Sequence, residues 1–297
     1  SDHDPSIIGF DADPAASTLE VTGPGSVRRG SDGTVKVTVS GSGDVPAATG
    51  TVTVKDGATT LDSAELVGGS ATLSVDTSEI PVGARTLVVS YAGDGEHAAA
   101  SATTRLTVLK AATGLTATST SSVYGTSGTL TVQADPAATG LVYALADGEL
   151  LAMGTLKAGQ ATLKLDPTAL APGSHEVEVF YGGNDVVDPA DTTATHVVGW
   201  ATSSLKASSS PSKLVVGKTK ATVKATVTTK GFTASGGTVT VKSGTHTVGT
   251  GTVKDGVASV ALRTFSTTGT KKLTVTWAGN AEATGSSASV TVTITKK

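Results

Sequence analysis

The sequence contains no cysteine, so no disulfide staples it and no thiol chemistry is open to it. Aromatic residues make up only 3% and charged residues only 16% of the 297 residues, while there are 36 glycines amid abundant Thr, Ser, Val and Ala. That mixture favours strands and turns over helices. No apolar run approaches the roughly 18 residues a membrane span needs, and no signal-peptide hydrophobic region or sorting motif is present, so membrane insertion is not expected. Net charge is only -3. Lys and Arg are scattered singly, which offers no stripe to follow a phosphate backbone, and nucleic-acid binding is not expected either. His3, His97, His175, His196 and His246 have no HExxH or paired spacing, and no Gly-rich phosphate loop follows a strand and opens a helix. His196 falls on an inward phase of its strand and reads as a satisfied histidine at the edge of a core. The chain begins abruptly at Ser1, in the manner of a piece whose export signal lay upstream.

What the chain does contain is one unit written three times. Gly50 to Val75, Gly140 to Leu165 and Gly237 to Leu262 align without a gap. Each copy runs on to an aromatic and a tight turn: Tyr91-Ala-Gly-Asp94, Tyr181-Gly-Gly-Asn184 and Trp277-Ala-Gly-Asn280. The spacing is that of domains and too long for a solenoid repeat, so each unit can bury a small core of its own. The sequence divides into a lead segment, 1–16, and three repeats, 17–109, 110–199 and 200–297.

Within the first repeat Val35, Val37 and Val39 alternate with polar residues, as do Val52 and Val54. Ala71, Leu73 and Val75 follow, then Leu87, Val89 and Tyr91, then Leu106 and Val108. This is the period-2 signature of half-buried strands. The rows agree between copies: Leu87, Val89, Tyr91 match Val177, Val179, Tyr181 and Leu273, Val275, Trp277. A one-residue slip would turn every such side chain to solvent, so the agreement specifies register. About seven short strands per repeat predict an antiparallel β-sandwich.

The aromatic-(Ala/Gly)-Gly-(Asp/Asn) turn before the last strand resembles that of the bacterial immunoglobulin-like domain repeats. The resemblance implies an all-β chain of three tandem immunoglobulin-like antiparallel sandwiches, an extracellular or cell-surface location, and a spacer, stalk or adhesion role without catalytic residues. The joints, Val108 to Leu115 and Val198 to Leu205, are short, which predicts limited bending, with Trp200 packed at the second. At about 3.3 Å per strand residue the three repeats would form an elongated rod on the order of 110 Å.

Ser1 to Phe10, SDHDPSIIGF, lies outside the repeat. It resembles the closing segment of extracellular nucleases of the endonuclease/exonuclease/phosphatase superfamily, in which the Asp and His matching Asp2 and His3 sit in a metal-dependent phosphodiesterase site. Every other catalytic element would lie before Ser1, so Asp2 and His3 would be remnants and this chain no enzyme. Should the chain truly begin at Ser1, Ile7, Ile8 and Phe10 form an apolar strand able to add to the sheet of another copy and build a fibre.

Three further sites merit naming. Asn184, Asp185, Asp188 and Asp191 place several oxygens within eight residues, the ligand type calcium favours, without EF-hand spacing; no other cofactor is indicated. Asn184 and Asn280 are the chain's only asparagines, and their place in turns argues against Lys-Asn isopeptide bonds. Finally, the outward positions Leu141, Tyr143 and Leu145 replace Thr51, Thr53 and Lys55 of the first repeat, and Phe180 replaces Ser90. On adjacent strands these four predict an exposed apolar patch for a polysaccharide or protein partner.

Overall fold

The computed structural model describes residues 13–296; Asp2, His3, Ile7, Ile8 and Phe10 lie outside the described residues. All the regular structure is β. Period-2 alternation of Val and Leu with Thr, Ser and Lys gives each strand one dry and one wet face. The first eight strands are β1 (Ser17–Thr22), β2 (Gly25–Arg28), β3 (Asp32–Gly41), β4 (Thr51–Asp56), β5 (Thr59–Glu65), β6 (Ser70–Asp76), β7 (Gly83–Tyr91) and β8 (Ala100–Leu109). They form a three-stranded sheet, β1-β3-β6, and a five-stranded sheet, β2-β8-β7-β4-β5. The rows expected inward are inward: Val35, Val52, Val54, Leu73, Val75, Leu87, Val89, Leu106 and Val108 have no exposed area.

The same plan returns twice. The second set is β9 (Thr116–Ser119), β10 (Ser122–Val123), β11 (Thr129–Gln133), β12 (Gly140–Ala146), β13 (Glu149–Leu156), β14 (Gln160–Lys164), β15 (Gly173–Tyr181) and β16 (Ala190–Gly199). The third is β17 (Ser203–Ser210), β18 (Lys213–Val215), β19 (Thr222–Thr229), β20 (Thr238–Ser243), β21 (His246–Thr252), β22 (Val257–Ala261), β23 (Gly269–Gly279) and β24 (Thr284–Thr295). Each again gives sheets of three and five strands in the same order. Eight strands per repeat, one more than expected, arise because the entering segment breaks in two. Its first part pairs in the small sheet and its second crosses to lie parallel to the last strand of the large one.

By its contacts the chain separates into two compact units. One holds the chain up to Thr113 together with Gly183–Asp188; the other holds Gly114–Gly182 and everything from Pro189 onward. In the first, Arg28 Nη1 donates to Asp188 Oδ2 at 2.6 Å and to the Lys110 carbonyl at 2.9 Å. In the second, the contact between consecutive sandwiches is made by Tyr124 and Phe232, edge to face with ring centroids 4.8 Å apart. The backbone comes equally close there: a Cβ on Gly231 would stand 1.8 Å from the Gly125 carbonyl oxygen. Both glycines have positive φ, which a side chain resists in any case. Trp200 does not pack at this joint as expected, since 55% of it is exposed. The chain turns there so that the buried residue is the next one, Ala201, which is 2% exposed and donates its N–H to the Glu282 carbonyl.

Candidate functional site

The most distinctive surface lies on the outer face of the second repeat's large sheet. Strand pairing places Tyr143 directly opposite Met153 on one side and Phe180 on the other, so three large side chains form one row across β13, β12 and β15. In the next row Leu145 stands between Leu150 and Glu178, and Leu141 faces Thr155. Met153 is 64% exposed, Leu150 56%, Leu141 51% and Phe180 40%; Tyr143 and Leu145 are half-buried among them. The equivalent row is Ser63, Thr53, Ser90 in the first repeat and Thr250, Thr240, Thr276 in the third. Only the second repeat carries apolar side chains in that row. Met153 and Leu150 extend the patch beyond the four residues read from the sequence. The signal for them was present, because the gap-free alignment sets Met153 against Ser63 and Thr250. The flank is acidic: Glu178 is paired with Leu145, and Asp191 with Phe180.

The turn aromatics are buried plugs. Tyr91 and Tyr181 are each 2% exposed and donate their hydroxyls to the Thr49 and Thr139 carbonyls, at 2.8 and 2.9 Å. Burial, with Asp94 nearby, pushes the Tyr91 phenol up to about 12, and burial raises Tyr181 as well. Trp277 Nε1 donates to the Gly236 carbonyl at 3.1 Å.

The Asp/Asn that follows each aromatic secures its loop from within. Asn184 Oδ1 accepts the backbone N–H groups of Val186 and Val187, and Asn280 Oδ1 those of Glu282 and Ala283. Asn280 Nδ2 donates to the Ser235 carbonyl. Of the calcium candidates, Asn184 therefore spends its side-chain oxygen on its own loop, Asp188 is paired with Arg28, and Asp191 stands on β16 opposite Phe180. Among the described residues no three His, Asp or Glu side chains gather in a metal-binding group. His196 is 2% exposed, with Nδ1 2.8 Å from Ser119 Oγ and Nε2 3.0 Å from Ser122 Oγ. Burial first and His175 second lower its pKa, as for an imidazole kept neutral inside a hydroxyl cage. Among the described residues no helix is long and apolar enough to cross a membrane.

Paired sheets of three and five strands, repeated three times around an aromatic plug, define a tandem immunoglobulin-like protein. The sequence matches the bacterial Ig-like domain (group 3) family over residues 20–109, 115–199 and 207–295, and the chain belongs to that family. No curated protein matches it. Among solved structures it is similar to a chimeric titin Z1Z2 carrying an exogenous peptide from decorin, at 18% identity over 63% of this chain and 98% of that one, with a TM-score of 0.26. It is also similar to E. coli alpha-2-macroglobulin in its native conformation, at 15% identity over 92% of this chain and 24% of that one, with a TM-score of 0.28.

Proposed function

We propose that the chain is a non-catalytic extracellular spacer whose repeats hold the groups joined to their ends apart. One feature supports this best. In every repeat the second part of the entering segment runs parallel to the last strand: β2 beside β8, β10 beside β16, β18 beside β24. Tension between the two ends of a repeat then loads all those rungs at once in shear, where an antiparallel end pair would unzip rung by rung. The pairing spans Gly25–Arg28 in the first repeat, Lys213–Val215 in the third and only Ser122–Val123 in the second. Single-molecule pulling of the full chain should give three unfolding events. The second repeat should yield at the lowest force and the first at the highest, with events assigned by aromatic substitutions confined to one repeat. A second repeat that outlasts the other two would remove the argument from terminal pairing.

Membership in a family whose domains are commonly surface-exposed supports the extracellular location. The link to a secreted nuclease rests on Ser1 to Phe10 alone, and the encoded residues upstream of Ser1 test it. A metal-dependent nuclease there supports the link, and any other domain removes it.

A second reading is favoured by the row Met153, Tyr143, Phe180. An exposed apolar strip of this kind on one repeat of three is the mark of a contact surface, and the second repeat would then bind a surface polysaccharide or protein. Replacing Tyr143 and Phe180 by Ser costs cross-strand contacts of about 0.2–1 kcal/mol each, so the repeat should stay folded. Retention of the chain on cells or immobilised glycan should fall by tenfold or more. Retention equal to the parent's would remove this reading and leave the spacer untouched.

A further inference from the structure

Averaged over the chain, charge is near balance; repeat by repeat it is not. From Trp200 to Lys297 there are twelve lysines and one arginine but only two carboxylates, Asp255 and Glu282. The fold places both acids at one end of the third repeat, where Lys230 and Lys254 also lie. Asp255 donates its backbone N–H to Ser235 Oγ, and the Glu282 carbonyl accepts from Ala201, so both acids stand at the end where the chain enters the repeat.

Six of the thirteen cations gather at the opposite end. Lys213 lies on β18, paired with Thr293 near the end of β24. The loop after β18, which carries Lys218 and Lys220, is tied to the Thr295 carbonyl by Val216 and to the Phe265 carbonyl by Gly217. Leu262, next to Arg263, donates to Ala221 at the end of that same loop. Lys271 opens β23 opposite Val292, and Lys296 follows β24. Four segments distant in sequence thus bring Lys213, Lys218, Lys220, Arg263, Lys271 and Lys296 to one end, all exposed except the half-buried Lys271. Among the described residues none of the six is in an ion pair.

We infer that this end of the third repeat is a docking surface for the phosphodiester backbone of double-stranded nucleic acid, bound without reading its bases. Collecting six cations at one end of a small domain costs self-repulsion, and a polyanion removes it by exchanging its condensed counterions for lysines. Between the cations stand Ser and Thr, from Thr264 to Thr270 and at Ser212 and Thr219. Lys, Ser and Thr are the side chains that contact phosphate oxygens. The one aromatic there, Phe265, is buried, so nothing offers a platform for unpaired bases or sugar rings. Asp255 and Glu282 lie at the far end, where they do not repel the ligand. The expectation of no nucleic-acid partner follows from the net charge and from cations scattered singly along the sequence, and folding gathers six of them.

The test is fluorescence anisotropy with the full chain and two labelled DNA duplexes of unrelated sequence. Both should bind alike, and affinity should fall by about 10³-fold between 50 and 200 mM salt, as about six phosphate contacts require. Reversing four cations, K218E, K220E, R263E and K271E, should weaken binding at 50 mM salt by a hundredfold or more. Reversing Lys36, Lys55, Lys157 and Lys164 makes the same charge change elsewhere and should cost less than tenfold. The melting of each variant checks that it is folded, and the salt slope of the parent tests the proposal without any variant. No binding at 50 mM salt, equal loss in both variants, or binding to a sulfated or carboxylated glycan but not to the duplex would each overturn the inference.

Discussion

Replacing Trp277 by Ala should cost the third repeat about 3–5 kcal/mol, toward the upper end of that range. The indole has no exposed area and lies on β23 opposite Val239 of β20. Its removal leaves a cavity and takes the Nε1 donor from the Gly236 carbonyl. Little can move into the space, because the neighbouring backbone is glycine by necessity. A Cβ on Gly237 would stand 2.4 Å from Trp277 Nε1 and 2.1 Å from the Gly279 carbonyl oxygen, and Gly237 has a φ of +72°. Small domains are stable by only about 5–15 kcal/mol, so the repeat's melting temperature should drop by roughly 15–30 °C. Scanning calorimetry of the full chain should show one transition displaced and the rest in place. Trp277→Phe keeps most of the volume but loses the donor and leaves a smaller cavity, and should cost about 1–3 kcal/mol. If Trp277→Ala melts within a few degrees of the parent, the plug is not what holds the third core together.

The first repeat should lose stability ahead of the third as pH falls below about 4. Asp94 is the reason. Its Oδ2 accepts from Thr49 N at 2.8 Å and Thr49 Oγ1 at 2.9 Å; its Oδ1 accepts from Glu96 N at 2.9 Å, His97 N at 2.7 Å and the N–H at His97 Nδ1 at 2.9 Å. These bonds, the Thr49 backbone N–H foremost, hold the carboxyl well below the ordinary value of 3.8. A carboxyl depressed in the folded state binds its proton more readily when unfolded. Its stabilisation is therefore complete above the ordinary value and is lost as pH descends toward the folded one. The second and third repeats carry Asn184 and Asn280 here, which do not titrate. Asp76 and Asp166, held low by Ser78 and Thr168, occupy matching positions in the first and second repeats and do not distinguish them. Circular dichroism melts between pH 7 and 2 should show the first repeat's transition moving ahead of the third's, while the second repeat, which holds His196 buried and neutral, responds from a higher pH. Asp94→Asn should lower the first repeat's transition by several degrees at pH 7 and flatten its response to acid. A first repeat no more acid-sensitive than the third would mean the five hydrogen bonds do not act as a charged set.

Much of the apolar surface was legible from the repeat itself. Where Thr or Ser occupies a position in two copies and Tyr or Phe in the third, the exception marks Tyr143 and Phe180, and the same comparison reaches Met153 and Leu150. The joint was not legible. Trp200 was placed in the contact by its position and its size, whereas Tyr124 and Phe232 make it from loops whose approach depends on Gly125 and Gly231. The acidic loop after Tyr181 suggested calcium because a one-letter sequence shows how many oxygens a segment has. It does not show that Asn184 Oδ1 is already taken by two backbone N–H groups.

Sequence alone determined the strand phase, the register of the core rows, the threefold repetition and the all-β class, because inward and outward alternation is a local property that each strand carries within itself. Tertiary structure alone decided that Thr49 would bind a carboxylate 45 residues later, that Met153 would stand opposite Tyr143 and extend the patch, and that six cations from four segments would share one end. Those neighbours are set by pairing between distant strands, and pairing is a property of the closed sheets.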